Sequence, residues 1–90
     1  MNRDAFLKRV RALAEDTANI FIVRHARHRM IERGHTDEDV VQALRRGMLE
    51  DGPFYNSKGH WQATVYRRYA GQEIRVVTVL EDGIVVITVI

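Results

Sequence analysis

Residues 60–90 read HWQATVYRRYAGQEIRVVTVLEDGIVVITVI, and this stretch decides the fold class. Val, Ile, Thr and Tyr dominate three runs, His60 to Ala70, Glu73 to Glu81 and Ile84 to Ile90. β-Branched and aromatic side chains suit the pleated, half-buried surface of a strand. Gly71-Gln72 and Asp82-Gly83 fall between the runs, where two-residue hairpin turns belong. Those turns predict an antiparallel meander with Arg68 opposite Arg75, Tyr66 opposite Val77, and Val77 opposite Thr88. Period two then sorts the side chains. Val65, Tyr69, Ile74, Val76, Leu80, Val85, Ile87 and Val89 share an apolar face for packing on helices, interrupted only by Arg67 and Thr78. Thr64, Tyr66, Arg68, Arg75, Val77, Val79, Val86, Thr88 and Ile90 share the other. Like charges set directly opposite each other are unfavourable. Arg68 beside Arg75 therefore calls for an anion, supplied by a ligand or by one of the chain's own carboxylates such as Asp51.

Upstream of this stretch, Met48 to Tyr55 reads as a further strand or an arm interrupted at Gly52-Pro53, and Asn56-Ser57-Lys58-Gly59 as a loop. The periodicity before Met48 is helical. Phe6, Val10 and Leu13 recur at i, i+4 and i+7, which predicts a helix over about 4–16. Asn19 to Val23 is an apolar run too short to separate a strand from an extended lead-in. Residues 24–33 form a basic helix stopped by Gly34, and residues 37–46 a helix capped by Thr36, with Asp39 three residues on in a capping-box position. Arg45 and Arg46 suit that helix's C-terminus, and Gly47 ends it. The expected fold is α+β: one domain over 1–90, with three N-terminal helices on one face of a three- to four-stranded antiparallel sheet spanning about 48–90.

Composition narrows the function classes. Apolar residues are 46% and charged residues 29%, as in an ordinary globular domain, and no apolar run is long enough to span a membrane. Without cysteine there is neither a disulfide framework nor a thiolate zinc site, and the cytoplasm is the simplest compartment. A net charge of +2 implies no general affinity for polyanions. Charge is concentrated instead: Arg24 to Arg33 holds four arginines and two histidines against the single Glu32.

At about 100° per residue, His25, Arg29 and Arg33 share one side of the basic helix, beside a narrow apolar stripe of Ala26 and Met30. The row is either a solvated face whose stems cover the core or an anion site, because guanidinium groups hold phosphate oxygens in pairs. A helix row of His and Arg together with a sheet face of Tyr and Arg is what metal-free RNA cleavage needs. A base takes the 2′-hydroxyl proton, cations stabilise the crowded phosphate, and an acid protonates the leaving oxygen. The catalytic candidates are His25, Arg29, Arg33 and Tyr66, with His25 or Glu50 as base and Tyr66 or a histidine as acid. Arg68, Arg75 and Thr88 are the binding candidates. His25 and His28 at i, i+3 lack an evident third ligand, so no metal is expected, nor any other cofactor. Asp37-Glu38-Asp39 opens the second helix of a helix-turn-helix-sized pair, which opposes entry into a DNA groove. Trp61 suits core or hairpin packing, and His35 and His60 fall in a loop and at a strand end.

His25-Ala-x-x-Arg29-Met30-x-x-Arg33-Gly34, the Thr-capped helix to Leu44-x-x-Gly47, and the terminal Val86-Ile87-Thr88-Val89 resemble domain of unknown function 4258, a group of small bacterial and phage proteins. The resemblance covers about residues 22–90 and marks His25, Arg29, Arg33, Gly34, Gly47 and Thr88 as recurrent positions. By order of elements the chain is also similar to the RelE-type and BrnT-type toxins, in which helices pack on one face of an antiparallel sheet and the opposite face cuts RNA. That likeness is topological and transfers no residue. It implies a toxin-like, metal-independent endoribonuclease whose partners are RNA and an antitoxin-like protein. The alternatives are a non-catalytic module binding RNA or protein, and a structural phage or accessory protein. Oligomeric state is not written in the sequence.

Overall fold

The computed structural model describes residues 1–90. Asn2 starts the first helix, its side-chain oxygen accepting from the Ala5 N–H at 2.8 Å, and α1 spans Arg3–Ala14. Phe6, Val10 and Ala14 on its inner stripe are fully buried. The helix stops two residues before the expected end. Asp16 instead caps a 3₁₀ turn at Thr17–Asn19, and Arg45 donates to the C-terminal carbonyls of Ala14 (2.8 Å) and Glu15 (3.2 Å).

Helices α2 (Arg24–Arg33) and α3 (Asp37–Arg46) match the expected bounds. Gly34 takes the left-handed conformation (φ 73°), and the Gly34 and His35 N–H groups close on Ile31 and Met30, a Schellman-type stop that satisfies two orphan carbonyls. Thr36 and Asp39 form a complete capping box, with bonds of 3.1 and 2.8 Å. Thr36→Ala should therefore lower stability by about 1 kcal/mol in a urea unfolding curve, and an unchanged midpoint would show that the cap contributes nothing.

Five strands follow from the rest: β1 (Ile20–Ile22), β2 (Met48–Tyr55), β3 (Trp61–Tyr69), β4 (Gln72–Leu80) and β5 (Ile84–Val89). They form one sheet in the order β1-β5-β4-β3-β2. This corrects the expectation of three or four antiparallel strands, because β1 adds a fifth and runs parallel to β5. Three residues carry too little periodicity to be read as a strand, and the partner lies far along the chain.

Two turns also differ from expectation. The β3–β4 turn is Ala70-Gly71, both at positive φ (52° and 81°), so Tyr69 pairs with Gln72. A type I′ turn needs positive φ at both central positions and favours Gly at the second, which draws the turn one residue upstream of Gly71-Gln72. The register moves with it: Tyr66 faces Arg75 and Arg68 faces Glu73, so the expected opposition of Arg68 and Arg75 does not occur. The shift preserves the faces of β3 and β4. In β5 it is otherwise. Val77 pairs with Thr88 as expected, but Thr78 pairs with Val86, leaving Ile87 as a bulged extra residue, and Leu80 pairs with Ile84 across a three-residue loop. Beyond the bulge the faces exchange: Ile84 and Val86 are buried, whereas Val85 and Ile87, expected on the core face, are half-exposed.

All three helices lie on one face of the sheet. Ala26 and Met30 of α2 and Val40, Ala43 and Leu44 of α3 join Ala63, Val65, Ile74, Val76, Ile84, Val86 and Val89 in a single core. Thr78 is the one buried polar residue there, and its hydroxyl donates to the Val76 carbonyl at 3.0 Å. Trp61 packs against this core and meets Tyr55 edge-on at 5.0 Å. Gly47 ends α3 as expected, and does so at φ −74°, outside the left-handed region. A Cβ there would lie 2.5 Å from the Ala43 oxygen and 2.7 Å from the Tyr66 oxygen. Glycine is required so that the end of α3 can touch β3. No helix is long and apolar enough to cross a membrane.

Candidate functional site

Alternation along β3 and β4 turns Tyr66, Arg68, Glu73 and Arg75 onto the helix-free face of the sheet. Glu50 joins them through a break in β2. Met48 pairs with Tyr66 and Leu49 with Val65, but the next pair is Asp51 with Thr64, so Glu50 is the extra residue of a bulge. A bulge re-aims its side chain, and Glu50 accepts a hydrogen bond from the Arg75 Nε at 2.7 Å. Arg75 Nη2 lies 3.6 Å from Glu73, and its guanidinium carbon sits 4.8 Å above the centre of the Tyr66 ring. Tyr66 in turn donates its hydroxyl proton to Glu73 at 2.7 Å. A phenol, a guanidinium and two carboxylates are thus linked in one partly exposed cluster, with Arg68 alongside. The anion that Arg75 called for is supplied by Glu50 and Glu73, not Asp51. Thr88 stands on the same face one residue pair along, opposite Val77.

The hydrogen bond to Glu73, partial desolvation and the Glu73 charge together push the Tyr66 phenol above its ordinary pKa, against the opposing pull of Arg68 and Arg75. The bond to Glu50 raises Arg75 despite desolvation, so its charge is secure. Tyr66 therefore keeps its proton at neutral pH. The stability it adds is fully present below its unfolded pKa of about 10 and is lost as pH rises through the higher folded value. The stability gap between the parent protein and Tyr66→Phe, measured by urea unfolding, should stay constant below pH 9 and close above pH 10. A gap that widened with alkalinity would contradict the Tyr66–Glu73 bond.

The second candidate group lies elsewhere. His25, Arg29 and Arg33 do follow one side of α2, beside buried Ala26 and Met30. Arg29 pairs with Glu32 at 3.2 Å and Arg27 with Asp37 at 3.1 Å, both on the surface. Arg24, His25, His28, Arg29 and Glu32 rim a shallow depression on the outside of α2. Because α2 covers the opposite face of the sheet, its row does not meet Tyr66, Arg68, Arg75 or Thr88. One composite site of helix and sheet residues is not formed. No three His, Asp or Glu side chains converge as metal ligands.

A family model described as a domain of unknown function, DUF4258, matches residues 22–90. The chain belongs to the DUF4258 family. Neither a curated protein nor a solved structure is matched. The DUF4258 match takes in both candidate groups and leaves α1 outside it. Glu73 is the functional candidate that sequence reasoning passed over in this DUF4258 chain. Its signal was available, since it lies at i−2 from Arg75, on the same strand face.

Proposed function

We propose that this DUF4258 protein is a toxin-like, metal-independent endoribonuclease acting at the helix-free face and restrained by an antitoxin-like protein that covers it. The observation that carries this reading is the linked group Glu50–Arg75–Tyr66–Glu73, in which the cation is hydrogen-bonded to one carboxylate and lies over the phenol ring, and the phenol donates to the other carboxylate. In the proposed reaction an RNA phosphate displaces Glu50 from Arg75. Glu50 then takes the 2′-hydroxyl proton, the 2′-oxygen bonds to phosphorus, and the bond from phosphorus to the 5′-oxygen breaks. Tyr66 gives its proton to that oxygen and is restored from solvent through Glu73. Arg75 and Arg68 stabilise the charge that builds on the phosphate. The products are a 2′,3′-cyclic phosphate and a 5′-hydroxyl. Labelled single-stranded RNA, incubated with the partner-free protein in EDTA, should be cut to those ends; intact RNA after incubation with the folded protein would overturn the proposal.

One observation favours a second reading, a non-catalytic RNA- or protein-binding module. Arg24, His25, His28 and Arg33 have no carboxylate within ion-pair distance, so α2 carries open positive charge. If α2 grips RNA, Arg29→Ala and Arg33→Ala should each weaken binding about 5- to 150-fold in a filter-binding assay, and Arg33→Lys should restore only part of it, since lysine lacks the fork. Binding without turnover would decide for the module. Unchanged binding would return the row to a solvated helix face.

A further inference from the structure

The helix-free face carries a cleft of about 630 Å³ at the end of the sheet away from Arg75. Strand register builds it. Val79 pairs with Gln62 on one side and Val85 on the other, and Val85 pairs with Phe21 of β1, so four side chains stand in one row across four strands. Phe21, Val79, Val85 and Ile87 make an apolar floor, and Lys58, Glu81 and Asp82 are the charged residues of its lining. Phe21 is 64% exposed, a large aromatic surface left in water at a sheet edge. Gln62 is held from one side only. Asn56 donates to its carbonyl oxygen at 3.2 Å, which leaves the Gln62 amide N–H groups without a protein acceptor.

We propose that this cleft binds a keto-bearing nucleobase of a single RNA strand whose phosphate lies at the Arg75 cluster. The inference rests on the ribonuclease reading for the identity of the strand. Volume in this range suits a small planar group. A purely aliphatic ligand would leave the Gln62 N–H groups unpaired, whereas a base carbonyl accepts from them while its ring covers the Phe21 floor. Arg75 and Val79 are four residues apart on β4, about 13 Å at strand rise, so the two subsites would engage different nucleotides of one strand.

The test uses 2′-O-methyl oligonucleotides, which lack the attacking hydroxyl and cannot be cut. Fluorescence anisotropy compares dye-labelled oligo(U), oligo(A) and an abasic strand of equal length on the full chain. Oligo(U) should bind about 5- to 150-fold tighter than the abasic strand, the usual worth of one stacked base. Phe21→Ala should bring oligo(U) down to the abasic level without changing abasic affinity, and Phe21→Trp should keep the difference. Gln62→Leu should narrow the preference for oligo(U) over oligo(A). Equal affinity for abasic and base-bearing strands, no binding of any strand, or indifference to Phe21→Ala would overturn the inference. Base-dependent binding with no cleavage of unmodified RNA would remove the ribonuclease reading alone; cleavage with base-independent binding would remove the nucleobase site alone.

Discussion

Gly47→Ala should lower the unfolding free energy by about 3 kcal/mol, the upper end of the cost of overpacking. The added methyl has no free direction: it meets the Ala43 oxygen at 2.5 Å, the Tyr66 oxygen at 2.7 Å and a Val65 methyl at 2.8 Å. Two of the three are backbone atoms, which cannot rotate away as a side chain can. Relief requires α3 to lift from β3, and Leu44 and Val65, both fully buried, would lose contact. For a domain of this size the loss amounts to a fall of roughly 12–24 °C in midpoint temperature, read by circular dichroism. Gly34 is the control. Nothing lies within 4 Å of a Cβ there, and its φ of 73° is the whole demand. Asparagine tolerates that conformation, so Gly34→Asn should be mild where Gly47→Asn is as damaging as alanine. Equal tolerance at both positions would refute the spatial account of Gly47.

Glu50→Gln should reduce RNA cleavage by about 10²–10⁴-fold, the range for losing a general base. The substitution keeps the shape and one acceptor oxygen toward Arg75, so binding of an uncleavable strand should be preserved. Folding should be preserved as well. The Glu50–Arg75 pair has side-chain exposures of 40% and 34%, and ion pairs so open to water add about 0–1 kcal/mol. The measurement is single-turnover cleavage, in which binding and chemistry separate. Cleavage at the parent rate would mean that Glu50 is not the base.

Several elements were legible in the sequence because their signals are local. Gly34, Thr36 and Asp39 announced the bounds of α2 and α3 through cap chemistry alone. The placement of Tyr66, Arg68 and Arg75 on one face needed only the two-residue period. What stayed hidden depends on partners distant in the chain or on single extra residues. Ile20–Ile22 becomes a strand only because β5 offers an open edge. Ile87 is chemically indistinguishable from its neighbours, yet as a bulge it exchanged the faces of half of β5. Glu50 belongs to the polar cluster because of another bulge, in a strand whose alternation is otherwise broken at Gly52-Pro53. The position of the α2 row on the far side of the sheet follows from assigning the apolar face to the helices, whereas the sequence alone leaves open whether the row and the sheet face form one site.

The short parallel strand β1 has a dynamic consequence. Ile20 pairs with Ile84, so this contact closes most of the chain into a loop, and it is secured by only three residues at a sheet edge. Contacts between such distant segments form late in folding, after local hairpins such as β3–β4. Short edge strands also open at a fraction of the global unfolding cost. In native-state hydrogen exchange the amides of β1 should lose protection before those of β3 and β4, while the rest of the sheet stays closed. Phe21 rides on that strand, so part of the cleft's floor belongs to a readily released part of the sheet.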